Sequence, residues 1–428
     1  MKVSFYALGC KVNQYEIDCY AKMFTDAGWE IGDFSEKCDA YVINTCAITN
    51  IGERKSRQII RRARKLNPDA VVAVTGCYAQ TKSDEVKAMA EVDVVLGTSN
   101  RGQICHIVEA KLRGEDIDIL TDIMKERAYE ELECEGKTER TRAYIKIQDG
   151  CDNFCSYCIV PYARGPVRSR NIQNIVREAQ RLSSLGFKEI VLTGISVASY
   201  GKDLKDANTL KNVIEEVCKV DGIERVRLSS ISPGIFDDEF IAFIAGEKKM
   251  CRHFHISLQS GSSSVLKRMN RKYTAEEYLD TLKRIRTAMP DSGITTDIIC
   301  GFPEESEEEF GETVEFVKKA RFLKVHVFPY SQRSGTVADR MPQIPHPVRE
   351  KRAGELGKIT EEIATQVEDS FIGKCVSVLF EQTDGEFIEG LSGNYLRVYV
   401  KGGDELTGEI KNVKITEFKD GKIYGEII

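Results

Sequence analysis

Residues 1–110 alternate short apolar runs with helical periodicity. Strands are predicted at 2–8, 40–46, 70–77 and 92–98, and helices at 14–27 and 52–66. This alternation implies a parallel sheet in a doubly wound α/β domain. A second alternating stretch has strand candidates at 144–148, 189–193, 225–229, 254–258, 294–300 and 325–330. Helical patterns at 173–185, 207–219, 235–245, 274–289 and 306–318 separate them. Six βα units would form a partial (βα)6 barrel, an open relative of the eight-unit barrel, with its chemistry at the carboxyl ends of the strands. A helix is expected over 347–368, followed by short strands with glycine-bearing turns. That ending reads as a small antiparallel β-barrel. The pattern therefore divides the chain into an α/β domain at 1–114, a connector at 115–140, a central domain at 141–366 and a terminal barrel at 369–428. The connector holds ten acidic and four basic residues and reads as an interdomain linker.

Composition narrows the class. The 428 residues suffice for two to three domains, and 42% hydrophobic with 30% charged residues is an ordinary soluble balance. No apolar run approaches the roughly 18 residues of a membrane span. The N-terminus MKVSFYALGCKVNQ lacks a signal-peptide core, so a cytoplasmic location and no membrane partner are expected. Net charge is −6, so any nucleic-acid binding must come from local basic patches. One such patch is the helix at 52–65, with seven Lys or Arg. Arg54, Lys55, Arg61 and Arg62 on it are candidates for RNA phosphate, the alternative being a solvated face.

The unusual number is 14 cysteines beside five histidines. A reducing compartment disfavours disulfides and points some of these thiols toward soft-metal ligation. Cys10, Cys46 and Cys77 each follow a predicted strand of the first domain, 36 and 31 residues apart. Ligands of open α/β sheets gather at that rim, so three distant thiols would converge. Three thiolates suit an iron–sulfur cluster with one open iron, the alternative being three buried cysteines. In the central domain, CDNFCSYC spaces Cys151, Cys155 and Cys158 as C-x3-C-x2-C after the first strand. Three close thiolates can hold three corners of a [4Fe–4S] cubane. Zinc would want a fourth ligand, and no Cys or His follows at finger-like spacing. The other eight cysteines, Cys19 and Cys134 among them, read as packing or surface residues.

The second triplet, with Tyr157 before its last cysteine, resembles the radical S-adenosylmethionine superfamily. In that superfamily the open iron chelates S-adenosylmethionine, and an electron from the cluster releases a 5′-deoxyadenosyl radical. Taken with Cys10, Cys46 and Cys77, and with LTGISVASYG, FHISLQSGSSSVLKRMNRKYT, TTDIICGFPEESEEEF and FPYSQRSGT, the whole chain resembles a methylthiotransferase. PYARGPVRSR and RLSSISP are most similar to the subfamily acting on threonylcarbamoyladenosine in tRNA. The isopentenyladenosine and ribosomal-protein enzymes are the alternatives, and an iron–sulfur RNA-binding protein is the non-enzymatic one.

The resemblance implies two [4Fe–4S] clusters, one per cysteine triplet, and two S-adenosylmethionine molecules per turnover. It also implies a cluster-bound sulfide, a sulfur donor, a flavodoxin- or ferredoxin-like reductant and a tRNA substrate modified beside the anticodon. The terminal barrel is by resemblance a TRAM domain. It is net acidic, with seven basic against ten acidic residues from 371 to 428, so RNA would meet Arg397, Lys401, Tyr395 and Tyr399 locally. Arg164, Arg168 and Arg170 form a further basic cluster, facing RNA phosphate or paired with the connector's acids. Thr193, Gly194, Gln259 and Arg268 are expected near S-adenosylmethionine, together with Tyr157, the alternatives being a helix cap for Gln259 and a surface position for Arg268. His253 and His255 share a strand face, either as a metal pair or as satisfied barrel histidines. Glu304 and Glu305 replace the family's Gly-Glu after Gly-Phe-Pro, so Glu304 is given no catalytic role. Ser306 and Glu309 read as a capping box.

Overall fold

The computed structural model describes every residue except 118, 135–139 and 206–207. Five parallel strands form the first sheet: β1 (Lys2–Ala7), β2 (Glu30–Ile31), β3 (Ala40–Thr45), β4 (Val71–Gly76) and β5 (Val94–Val95), in the order β2-β1-β3-β4-β5. Both β3 and β4 are buried along their whole length, which is why they read as continuous apolar runs. The pair Glu30–Ile31 escaped the hydrophobic pattern because it is a two-residue exposed edge. Helices α1 (Lys11–Asp26) and α2 (Asn50–Leu66) flank the sheet, and the short α3 (Cys77–Thr81) continues from β4.

The central domain carries β6 (Arg142–Asp149), β7 (Arg168–Ser169), β8 (Glu189–Gly194), β9 (Arg225–Leu228), β10 (His253–His255), β11 (Gly293–Cys300) and β12 (Lys324–Pro329). The parallel series β6-β8-β9 continues into β10-β11-β12 through bridges at Val226–Met250 and Ile231–Ile256. One apolar core spans all six units. The expected helices are present, including one at Glu307–Ala320 whose Ser306 and Glu309 close a capping box. The helix expected to begin at 207 is described from Leu210, residue 207 lying outside the described residues.

The chain ends in a closed barrel of β13 (Cys375–Asp384), β14 (Phe387–Ser392), β15 (Arg397–Lys401), β16 (Ile410–Lys419) and β17 (Lys422–Ile427). Four of its pairings are antiparallel, and β15 meets β17 in parallel. It docks under the amino ends of the central strands. Arg225, at the start of β9, donates to Ser377 Oγ at 2.7 Å and to the Leu391 carbonyl at 3.1 Å. Tyr395 lies flat on His253, with ring centroids 3.9 Å apart. Tyr395 is therefore part of the domain contact and not an RNA-facing ring. Tyr399 is also buried, with Lys422 over its ring.

The connector is a packed strap over its described part; residues 118 and 135–139 of it lie outside the described residues. Ile123, Leu132 and Cys134 are buried. Glu130 bonds Arg101 and Glu131 bonds Arg170, so its acids pair with buried arginines. Cys134 is joined to Cys19 of α1 as a disulfide, against the expectation that both are unlinked thiols.

Candidate iron–sulfur sites and their electrostatic support

Cys10, Cys46 and Cys77 sit at the carboxyl ends of the adjacent strands β1, β3 and β4. Each approach is tight. A Cβ on Gly9 would lie 2.8 Å from Cys46 Sγ, and Gly9 has φ +93°, so glycine is required there. The charged neighbours of Cys46 include Cys77 and Cys10. Burial, reinforced by those neighbours, pushes its thiol up to about 12. The second triplet lies on the loop after β6. There Gly150 has φ +74° because a Cβ would strike the Pro166 carbonyl at 1.8 Å. Burial and the neighbouring Cys155 push Cys158 up to about 12.

N–H donors are aimed at several of these sulfurs. Arg164 Nε donates to Cys77 Sγ at 3.3 Å, Ile48 N to Cys46 Sγ at 3.5 Å, and Arg271 to Cys155 Sγ at 3.3 Å. Such donors favour a thiolate. Among the described residues, neither triplet brings its ligand atoms within 4.8 Å of one another. One tetrahedral zinc would need sulfurs roughly 3.8 Å apart. Three thiols at each triplet, with no Cys or His at finger-like spacing after CDNFCSYC, fit a cubane with an open corner. The two triplets are neighbours: Arg164 ends the short helix Val160–Arg164 that follows Cys158, and its side chain reaches Cys77.

Arg164 belongs to a buried ionic cluster that sequence reasoning missed. Glu16 of α1 meets Arg101, Arg164 and Lys146. Asp149 meets Lys146 at 2.6 Å, Arg101 at 3.1 Å, Arg164 at 3.6 Å and Arg168 at 3.7 Å. Burial alone would raise the Glu16 carboxyl, but Arg164, Lys146 and Arg101 outweigh it and hold the group well below the usual carboxylate range. Asp149 is held low in the same way. With Glu130 on Arg101, four cations face three carboxylates. Burial pushes the Cys77 thiol up, and the Arg164 guanidinium beside it opposes that shift. The sequence signal was present: Cys10, Asn13 and Glu16 recur every three residues on α1, and Asn13 and Glu16 are polar on a buried face.

This cluster overturns the RNA-facing reading of Arg164, Arg168 and Arg170. Their exposures are 0%, 2% and 5%. Arg170 is held by Glu178 and Glu131. The α2 residues divide. Arg54 and Lys55 are exposed, Arg61 is exposed with Glu91 at 3.6 Å, and Arg62 lies over the Phe34 ring. In the terminal barrel, Arg397 pairs with Glu389 and Lys401 with Glu386.

The expected S-adenosylmethionine residues also divide. Thr193 and Gly194 end β8, and Gln259 holds φ +79° beyond β10. Tyr157 packs edge-on to Phe302, with Arg271 among its charged neighbours. The Arg268 guanidinium is bound to Glu309 at 2.6 and 2.8 Å, so it faces an internal acid and not a ligand. Only its backbone serves the cysteine loop, accepting from Ser156 Oγ at 2.9 Å. Arg271, unassigned from sequence, is the cation that does reach a cysteine of that loop.

Comparisons with known proteins accord with this geometry. The family model of the Radical SAM superfamily matches residues 145–317, and that of Uncharacterized protein family UPF0004 matches 2–97. Threonylcarbamoyladenosine tRNA methylthiotransferase MtaB of Bacillus subtilis is 44% identical over 99% of this chain and 95% of its own. The chain belongs to the radical SAM tRNA methylthiotransferases. The Aquifex aeolicus MtaB is 38% identical over 97% of this methylthiotransferase and 100% of its own length. A tRNA-2-methylthio-N(6)-dimethylallyladenosine synthase of Thermoanaerobacter pseudethanolicus is 36% identical over 98% and 91%. Among solved structures, the radical S-adenosylmethionine methyltransferase TsrM of Kitasatospora setae aligns with a TM-score of 0.56. It is 15% identical and covers 91% of this chain and 80% of its own, a likeness of fold. No helix among the described residues of this methylthiotransferase is long and apolar enough to cross a membrane.

Proposed function

We propose that this methylthiotransferase converts N6-threonylcarbamoyladenosine beside the tRNA anticodon into its 2-methylthio derivative. The observation that carries the reading is the pair of three-thiol sites brought side by side through Arg164 and Cys77. The full-length likeness to two proteins named for threonylcarbamoyladenosine selects that substrate over isopentenyladenosine. An aromatic C–H has neither a leaving group nor an acidic proton, so acid–base side chains alone cannot replace it with sulfur. Two [4Fe–4S] clusters and S-adenosylmethionine supply the radical and the methylthio sulfur when bound.

The chain's own groups bind and orient. Cys151, Cys155 and Cys158 hold the cluster that meets S-adenosylmethionine, and Arg271 steadies Cys155. Cys10, Cys46 and Cys77 hold the auxiliary cluster, and Arg164 steadies Cys77. To Thr193 and Gly194 at the end of β8, with Gln259 and Tyr157, we assign contacts to S-adenosylmethionine. Arg54, Lys55 and Arg61 on α2, which starts four residues beyond Cys46, offer phosphate contacts. A low-potential reductant and a sulfur donor complete the cycle in the cytoplasm.

Nucleoside mass spectrometry of tRNA from a deletion strain tests the reading. Loss of the methylthio group from threonylcarbamoyladenosine is expected. Loss from isopentenyladenosine instead, or a change confined to a ribosomal protein, refutes it.

A further inference from the structure

The inner face of β10–β12 carries polar chemistry that neither cysteine site uses. His253 and His255 on β10, Thr295 and Asp297 on β11, and His326 and Phe328 on β12 alternate toward the barrel lumen. Val325 and Val327 point the other way, into the core beneath the helices. Tyr395 closes the floor by stacking on His253.

The hydrogen bonds fix the protons. Thr295 Oγ1 lies 3.0 Å from His253 Nε2 and 2.9 Å from His255 Nδ1, yet a hydroxyl has one proton. Burial, with Arg227 nearby, keeps His253 neutral, and its Nδ1 has no partner. The economical assignment has His253 Nε2–H donating to Thr295 and the Thr295 hydroxyl donating to His255 Nδ1. His255 Nε2–H then donates to Asp297 Oδ2 at 3.0 Å. Both nitrogens of His255 are thereby committed.

His255, Asp297 and His326 are the one group among the described residues with three ligand atoms within 4.8 Å. A dication is nonetheless disfavoured. In that assignment His255 has no lone pair left for a cation. The His326 ring, centred 5.9 Å from that of His255, has no hydrogen-bond partner among the described residues. Phe328, one step nearer the strand end, is 45% exposed, which is unusual for a phenylalanine on a barrel wall.

We propose that this wall is the subsite that reads the N6 substituent of the target adenosine: Phe328 stacks on the base, and His326 and Asp297 hydrogen-bond the threonyl hydroxyl and carbamoyl groups. The inference rests on the threonylcarbamoyl reading above. An isopentenyl group has no polar atom and would leave these side chains unpaired, which is how a polar site rejects an apolar analogue.

The test measures binding without turnover. Anticodon stem-loops carrying threonylcarbamoyladenosine, isopentenyladenosine or plain adenosine are titrated anaerobically with cluster-loaded protein, without S-adenosylmethionine, by fluorescence anisotropy. Wild type is expected to bind the threonylcarbamoyl RNA about ten-fold or more tighter than the other two. His326→Leu and Asp297→Asn should bind the plain RNA as wild type does, with unchanged iron content, and lose that preference. Retention of the full preference by both variants overturns the subsite while leaving the substrate reading intact. A wild type that prefers the isopentenyl RNA overturns the substrate reading and the subsite with it.

Discussion

Arg164→Met separates two roles for a buried cation: structural counterion or RNA contact. The guanidinium is fully buried and donates to both Glu16 oxygens, to Asn13 Oδ1 at 2.6 Å and to Cys77 Sγ at 3.3 Å. Methionine keeps the bulk and removes every donor. Breaking a buried pair while stranding its partner costs about 3–5 kcal/mol. At about 2–4 °C per kcal/mol for units of this size, the melting midpoint should fall by roughly 6–20 °C. The fall should be nearly equal at 50 and 200 mM salt, because buried pairs are weakly screened. Auxiliary-site iron should be lost as well, since Cys77 loses its donor. The assay is anaerobic thermal melting with iron counting, alongside the salt dependence of tRNA binding. An RNA-contacting arginine would behave otherwise. Melting would stay put, and the slope of log affinity against log salt would flatten by about 1. That outcome would refute the counterion account.

Replacing Cys10, Cys46 and Cys77 together with alanine should lower reconstituted iron from about eight to about four per chain, with 5′-deoxyadenosine formation retained; unchanged iron sinks the two-cluster assignment. Arg271→Met removes the cation beside Cys155. It should retain iron, shift that cluster's reduction potential negative and slow reductive cleavage about 10- to 100-fold, as read by spectroelectrochemistry and product analysis. Reversing Arg54, Lys55 and Arg61 to glutamate should weaken tRNA binding and reduce its salt slope by up to about 3, with melting unchanged. Acid should destabilise the apoprotein in a defined window. The hydrogen bond from Arg268 outweighs burial and lowers the Glu309 carboxyl from 4.5 to about 2. The native state therefore binds fewer protons than the unfolded one, and this stabilisation is present above about pH 4.5 and lost as pH falls toward 2. Glu309→Gln should flatten the melting midpoint over that range.

The strands were legible because burial on both faces makes their apolar runs continuous, as in AYVINT and VVAVTG. Cysteine placement was legible because topology alone carries the ends of β1, β3 and β4 to one rim. The arginines were not. A buried, paired arginine and an exposed one look alike in sequence, and the partners of Arg164 lie 148 and 151 residues away at Glu16 and Asn13. The connector misled for the same reason. Ten acidic residues suggest solvent, yet two of them, Glu130 and Glu131, reach the buried Arg101 and Arg170. Tyr395 and Tyr399 read as stacking platforms on composition, and docking buries the first against His253.

The buried charges explain why the first two domains act as one catalytic body. Glu16 belongs to the first sheet's helix, whereas Lys146, Asp149, Arg164 and Arg168 belong to the central domain. Without α1, three cations would face Asp149 alone, in a site too dry to tolerate them. Docking of the domains therefore neutralises a charge that neither could bury by itself. The same contact sets Arg164, which follows the second cysteine triplet in the chain, on Cys77 of the first. That packing consumes Arg164, Arg168 and Arg170, whereas Arg54, Lys55 and Arg61 of α2 stay exposed.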